Sequence, residues 1–228
     1  MLDERSGSWL SVDDRRGSIR EIAIVFGLTV GGWLFLWALK GTFISFDFGQ
    51  ARLLRTWAAE VIYVIVLWPW LASRGWSFGA IAGAPQPIDI LRGFGLALIA
   101  YIAYFFTAYS WVVFDPRTYD VLLHAKPVGT AAAWVVIVGV IINPVVEEFL
   151  WLGYGITALR RYGTRTAVVT SIALRLTVHL YQGRLAFISV LPGAVVFTLY
   201  FVRTRRLWPI IVAHMLVDTI GLLSVVRR

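Results

Sequence analysis

The stretch Ala133-Trp-Val-Val-Ile-Val-Gly-Val-Ile-Ile-Asn-Pro-Val-Val-Glu-Glu-Phe-Leu-Trp-Leu-Gly-Tyr-Gly155 decides the fold. It carries no charge before Glu147, and it matches the run of about 20 apolar residues that a helix needs to cross a bilayer. Pro144 removes one helical hydrogen bond and bends the span. Two carboxylates, Glu147 and Glu148, then stand inside the apolar run. A charge at that depth is costly and normally faces a bundle interior or a water-filled cavity. One segment thus predicts both a membrane helix and a polar centre within it.

Runs of the same character recur on both sides of it. Apolar spans are expected at Ile22–Leu39, Trp57–Ala72, Gly93–Phe114, Gly129–Leu159, Ala167–Tyr181, Ala186–Val202 and Trp208–Val226. The fourth is long enough to break near Gly153 and Gly155. The pattern predicts an all-α polytopic membrane bundle of about seven to eight transmembrane helices. Composition agrees, with 59% hydrophobic and 15% charged residues, against about half and a quarter in soluble domains. The lipid bilayer is therefore one partner. The 11 Trp and 9 Tyr suit aromatic belts at its two interfaces. The chain contains no Cys, which excludes disulfides and thiolate metal sites.

Residues 1–21 read as a polar, mixed-charge cytoplasmic tail without the features of a signal peptide, ahead of a single transmembrane domain over 22–228. The net charge of +8 sits between spans and forms no separate basic face, so no nucleic-acid partner is expected. Residues 48–55 read as an interfacial turn, Glu60 as interfacial, and Asp120, His124 and Lys126-Pro127 as parts of a loop. The spacing of Gly27 and Gly31 predicts close helix packing.

Six ionisable residues stand out in the C-terminal half: Glu147, Glu148, Arg175, His179, His214 and Asp218. His214 and Asp218 are four apart and share a helix face, as do Arg175 and His179. Glu147 and Glu148 point about 100° apart, so one of them faces the centre. Counted from the basic segments 160–165 and 203–206, Glu147, His179 and Asp218 lie about 18–21 Å deep, and His214 about 12 Å. Singly, each has a bland reading: a hydrogen-bonded core His, a helix-packing Asp, a structural Glu148–Arg175 pair. Their shared depth on three helices favours a functional centre. A carboxylate beside an imidazole can activate water, and a second His can hold an oxyanion. Alternatively, two His and one or two carboxylates can bind a divalent metal such as zinc. Either route hydrolyses an amide. The sequence lacks the His-Glu-x-x-His zinc helix.

Asn143-Pro-Val-Val-Glu-Glu-Phe-Leu-Trp-Leu-Gly153 resembles the Glu-Glu-x-x-x-Arg segment of the type II CAAX prenyl protease and bacteriocin-processing family, also called Abi or CPBP. Arg175-Leu-Thr-Val-His-Leu-Tyr-Gln-Gly183 resembles its Phe-x-x-x-His segment, and Leu207-Trp-Pro-Ile-Ile-Val-Ala-His-Met-Leu-Val-Asp218 its His-x-x-x-Asn/Asp segment. The resemblance covers about residues 130–225. It implies an intramembrane endopeptidase, of glutamate or metallo type, acting on a prenylated or other membrane-associated protein or on a small peptide. It implies that Glu147 and His179 activate the water, that His214 and Asp218 hold the oxyanion, and that Glu148 supports them. A metal would fall to Glu147, His179, His214 and Asp218. Two positions depart: the motif Arg falls on Leu152 and the motif Phe on Arg175. Arg175 is expected to replace the missing guanidinium by pairing with Glu148. A catalytically silent scaffold of the same family is the alternative reading, and an ion-coupled transporter a third, opposed by the lack of internal repeats.

The basic residues of the tail and of 160–165 and 203–206 fall on one side and predict a cytoplasmic N-terminus. A tag ahead of Ile22 should be protected from protease added outside intact cells. Cleavage of that tag would reverse the orientation.

Overall fold

A computed structural model describes residues 17–40, 48–124 and 128–226; the side chains of Leu36, Trp37, Lys40 and Ser224 are outside the description. The polar tail over 1–16, Lys126-Pro127 and the terminal Arg227-Arg228 also lie outside it. Helix α1, Ile19–Phe26, continues through a π turn, Gly27–Gly31, into α2, Gly32–Lys40. Then follow α3, Gln50–Ser73; α4, Phe78–Ala82; α5, Ile88–Phe114; and α6, Arg117–His124. Helix α7, Ala133–Glu148, runs on through a π stretch, Phe149–Ile156, into α8, Thr157–Leu159, and a 3₁₀ turn, Arg160–Tyr162. Helices α9, Thr164–Val178; α10, Leu185–Ser189; α11, Leu191–Thr204; and α12, Trp208–Leu222, complete the order. Among the described residues the extended pairing is limited to isolated bridges such as Ala131–Val226. The all-α membrane bundle is therefore as the sequence indicates.

Three helices, Gln50–Ser73, Ile88–Phe114 and Ala133–Tyr162, are long and apolar enough to cross a membrane, with Leu191–Thr204 and Trp208–Leu222 as shorter apolar helices. Contacts define two ends of the bundle. At one end Glu21 meets Arg74, Asp89 meets Arg206, and the Tyr162 hydroxyl donates to the Gly17 carbonyl. At the other, Gln50 N–H bonds the Thr130 carbonyl, Ala131 N–H bonds that of Val225, and Arg184 meets Asp115. Helices α3, α5, α7, α9, α11 and α12 run alternately between these ends. α12 packs on α5 and α7, α3 on α7, and α9 on α11 and the π stretch.

Several local expectations need correction. Residues 50–55 are helical, not a turn, so α3 starts seven residues before Trp57. That places Glu60 three turns into the helix and buries it, rather than at the interface. Asp120 and His124 lie on α6, not in a loop. The tail ends earlier than expected, because Ser18 caps α1 through the Glu21 N–H. Gly27 and Gly31 bracket a π turn, and a Cβ at either would meet nothing within 4 Å.

The expected break at Gly153 and Gly155 is instead a continuous helix that widens into π geometry. The widening leaves the Trp151 carbonyl to accept from Ser171 Oγ of α9, at 2.7 Å. π turns recur at functional sites because they rotate the residues that follow. Gly153 permits α4 to approach, since a Cβ there would sit 2.5 Å from Ile81 Cγ2. Gly153→Ala should therefore lower stability by about 1–3 kcal/mol through overpacking, and Ile81→Ala in the same chain should recover part of it. Thermal unfolding in detergent checks both. Equal midpoints for Gly153→Ala and the unchanged protein would refute the close packing.

Candidate active site

A cavity of about 510 Å³ opens between α3, α5, α7, α9, α11 and α12. Glu147, His179, His214 and Asp218 all line it, as does Arg175. Glu148 does not; it is fully buried behind the wall. The 100° step between neighbouring helical residues thus sends the two glutamates to different tasks.

Glu148 is held from two helices. Arg175 Nη2 of α9 donates to its Oε1, with Arg175 itself only 4% exposed. His214 Nδ1 of α12 donates to the same oxygen at 2.7 Å. The expected Arg175–Glu148 pair is therefore present. Such a pair is tolerable in a low-dielectric interior because each charge has its partner; loss of either member leaves the other uncompensated.

Glu148 and the backbone of Arg175 orient the two imidazoles. His179 follows the last residue of α9, and its Nδ1 donates to the Arg175 carbonyl at 2.9 Å. A carbonyl can only accept, so in the neutral ring the lone pair lies on Nε2. No hydrogen bond joins His179 Nε2 to another described residue, and Glu147 likewise makes none. They enter the cavity as two uncommitted proton acceptors.

His214 is committed at both nitrogens. With Nδ1 donating to Glu148, Nε2 stands 3.4 Å from Asp218 Oδ1, one turn along α12. Two lone pairs facing each other would repel, so a proton is shared between Nε2 and Asp218. Asn143 Nδ2 donates to Asp218 Oδ2 at 3.2 Å and fixes that carboxyl. Sequence reasoning passed over Asn143, although it lies four residues before Glu147 and hence on its face. It read Glu60 of α3 as interfacial and passed over Trp57 of α3, Tyr101 of α5 and Tyr181; all four line the cavity.

These residues do not fit a metal as they stand. Among the described residues no group of three His, Asp or Glu side chains is gathered to hold one. His214 turns both ring nitrogens to carboxylates, which leaves no lone pair for a cation. The site is accordingly read through its own acids and bases.

Residues 129–220 match the family model described as Rce1-like, type II CAAX prenyl endopeptidase Rce1-like. No curated protein and no solved structure matches the chain. The matched segment contains Glu147, Glu148, Arg175, His179, His214 and Asp218, and it is similar to that family over α7 through α12. Together with the apolar helices it supports an integral membrane protein and a peptidase of the CAAX type in general form.

Leu152, where the family motif has Arg, is fully buried in the apolar core. Arg175→Phe should impair peptide hydrolysis at least tenfold, because it leaves the buried Glu148 without its guanidinium and so loosens the carboxylate that holds His214. Arg175→Phe combined with Leu152→Arg should recover part of the loss. Full activity of Arg175→Phe alone would show that the guanidinium is dispensable.

Proposed function

We propose that the chain is an intramembrane endopeptidase that cleaves a peptide bond of a membrane-associated protein or small peptide with a water activated by Glu147 and His179. The observation that carries this reading is the division of labour around one cavity. Two unengaged bases, Glu147 and His179, line the same cavity as two groups that share a proton, His214 and Asp218. A prenylated protein C-terminus is the substrate class that the family description names. The apolar side of the cavity, with Trp33, Tyr104 and Phe197, is compatible with such a lipidated chain.

The geometry supports the following steps. Water enters between Glu147 and His179 Nε2 and loses a proton to one of them as its oxygen attacks the carbonyl carbon. The carbonyl oxygen, now negative, takes a hydrogen bond from the proton held between His214 and Asp218. As the C–N bond breaks, the proton taken from water passes to the leaving nitrogen, giving an amine and a carboxylic acid; the acid then gives its proton to the amine, so that a carboxylate and an ammonium leave. Glu148 and Arg175 touch no reacting atom; they are positioning residues for His214 and His179.

The test is cleavage of a lipidated or plain peptide by the purified chain. Glu147→Ala and His179→Ala should each lower the rate about 10²–10⁴-fold while the thermal unfolding midpoint stays near that of the unchanged chain. A chelator should leave the rate as it was. Hydrolysis at the normal rate by either folded variant sinks the assignment, and inhibition by chelator reinstates a metal.

A further inference from the structure

Two polar groups of the cavity wall belong to neither the acid–base set nor the segment that matches the family. Trp57 and Glu60 stand one turn apart on α3, and both line the cavity. Glu60 is only 5% exposed, and its Oε2 has no hydrogen-bond partner. Trp57 Nε1 is also buried and also without a partner. Among the described residues no cation pairs with Glu60. Buried polar groups are almost always satisfied, so two orphans on one turn call for an explanation.

Their chemistry is complementary to a peptide backbone. An indole N–H only donates, and a carboxyl oxygen accepts. The matching ligand offers one acceptor and one donor a short step apart. Trp57 and Glu60 are displaced by about 4.5 Å along the helix axis. An extended chain advances about 3.3 Å per residue, so one C=O and a neighbouring N–H of a single strand can meet both.

Position relative to the chemistry agrees. α3 and α7 start side by side, where Gln50 N–H bonds the Thr130 carbonyl, and they run in the same direction. Trp57 lies level with Gly139, whose added Cβ would sit 3.6 Å from Trp57 Cδ1. Gly139, Asn143 and Glu147 follow at four-residue steps on one face of α7 and all line the cavity. Trp57 is therefore about 12 Å from Glu147 along the helices, and Glu60 one turn nearer. That distance is three to four residues of extended peptide.

We propose that Trp57 and Glu60 form a backbone-binding subsite that holds an extended peptide on the α3 wall, about two (Glu60) to four (Trp57) residues from the scissile bond. Trp57 Nε1–H donates to a substrate carbonyl, and Glu60 accepts from a substrate N–H. The proposal rests on the peptidase reading for the reason the peptide is there, and the subsite sets its register against Glu147.

The test uses the full chain in detergent and a set of peptides in which one backbone amide at a time is replaced by an ester, removing a single N–H. Cleavage and equilibrium binding, followed by anisotropy of the labelled peptide, are measured in parallel. In the unchanged chain one ester peptide should show a KM and a dissociation constant about tenfold higher, the size of one hydrogen bond, with kcat nearly constant. Glu60→Leu should raise KM for the all-amide peptide by a similar factor and abolish the penalty of that ester. Glu60→Gln, which keeps an acceptor, should restore most of it. Trp57→Phe, which removes only the N–H donor among its polar atoms, should raise KM without changing which ester is penalised. If Glu60→Leu does not fold, Glu60→Met, which also removes the carboxyl oxygens, carries the comparison. An ester penalty that is the same in the unchanged chain and in the Glu60 variant that lacks an acceptor oxygen overturns the subsite, as does a peptide that is neither bound nor cleaved. Binding with an ester penalty that depends on Glu60, but no cleavage, keeps the subsite and discards the peptidase reading.

Discussion

The arrangement of the site depends on a single buried carboxylate. Glu148 is inaccessible to solvent and accepts from Arg175 on α9 and from His214 on α12. A charge at membrane depth persists only where opposite charge and donors surround it, so the three helices that supply these groups are locked in register. Each remaining member of the site inherits its place from that lock. Glu147, one residue earlier, is turned by the helix into the cavity. His179 is oriented by the carbonyl of Arg175. Asp218 faces the nitrogen of His214 that Glu148 does not use.

Three buried glutamates show how environment separates roles. Glu21 accepts from Gly17 N–H, Trp76 Nε1, Tyr154 Oη and Arg74 Nε. Its acceptor sites are filled, and it ties α1, the end of α3 and the π stretch together at one end of the bundle. Glu148 is paired through one oxygen, while its Oε2 has no partner. Glu60 has no partner at either oxygen among the described residues. The same side chain is thus saturated, paired through one oxygen or unpaired, according to how many donors the helices bring to it. Saturation, rather than depth, distinguishes the three.

The helices themselves were legible because apolar length and four-residue spacing are local properties. His214 with Asp218, Arg175 beside His179, and the opposed directions of Glu147 and Glu148 all follow from helical periodicity. What the sequence hid required knowledge of neighbours. Residues 48–55, short and mixed in composition, read as an interfacial turn, yet the Arg52 guanidinium stacks on Tyr181 at 4.8 Å. With that charge accommodated, α3 extends one further stretch and carries Glu60 inward. Gly153 and Gly155 looked like breakers because glycine is flexible. In the folded chain Gly153 is a close-approach point for Ile81, and the Ser171 hydroxyl satisfies a carbonyl of the widened helix. Asn143 carried a spacing signal, but its role needed Asp218 from a helix 75 positions away.

The position of the guanidinium has a mechanical consequence. An Arg four residues after Glu148 on the same helix would support the carboxylate from within one element. Here that position is Leu152, sealed in the apolar core, and the guanidinium comes from α9. A local support has become a tie between helices. The site's geometry then depends on how α9 sits against the π stretch, which the Ser171–Trp151 hydrogen bond fixes four residues before Arg175. Ser171 and Arg175 share a face of α9, one touching the backbone of the helix that bears Glu148 and the other its side chain. Slippage of α9 by one residue would break both contacts and carry His179 away with them. The widened helix, the serine and the displaced arginine are therefore parts of one device, in which the order of three helices holds two bases at the edge of a cavity that their own chain segments could not place.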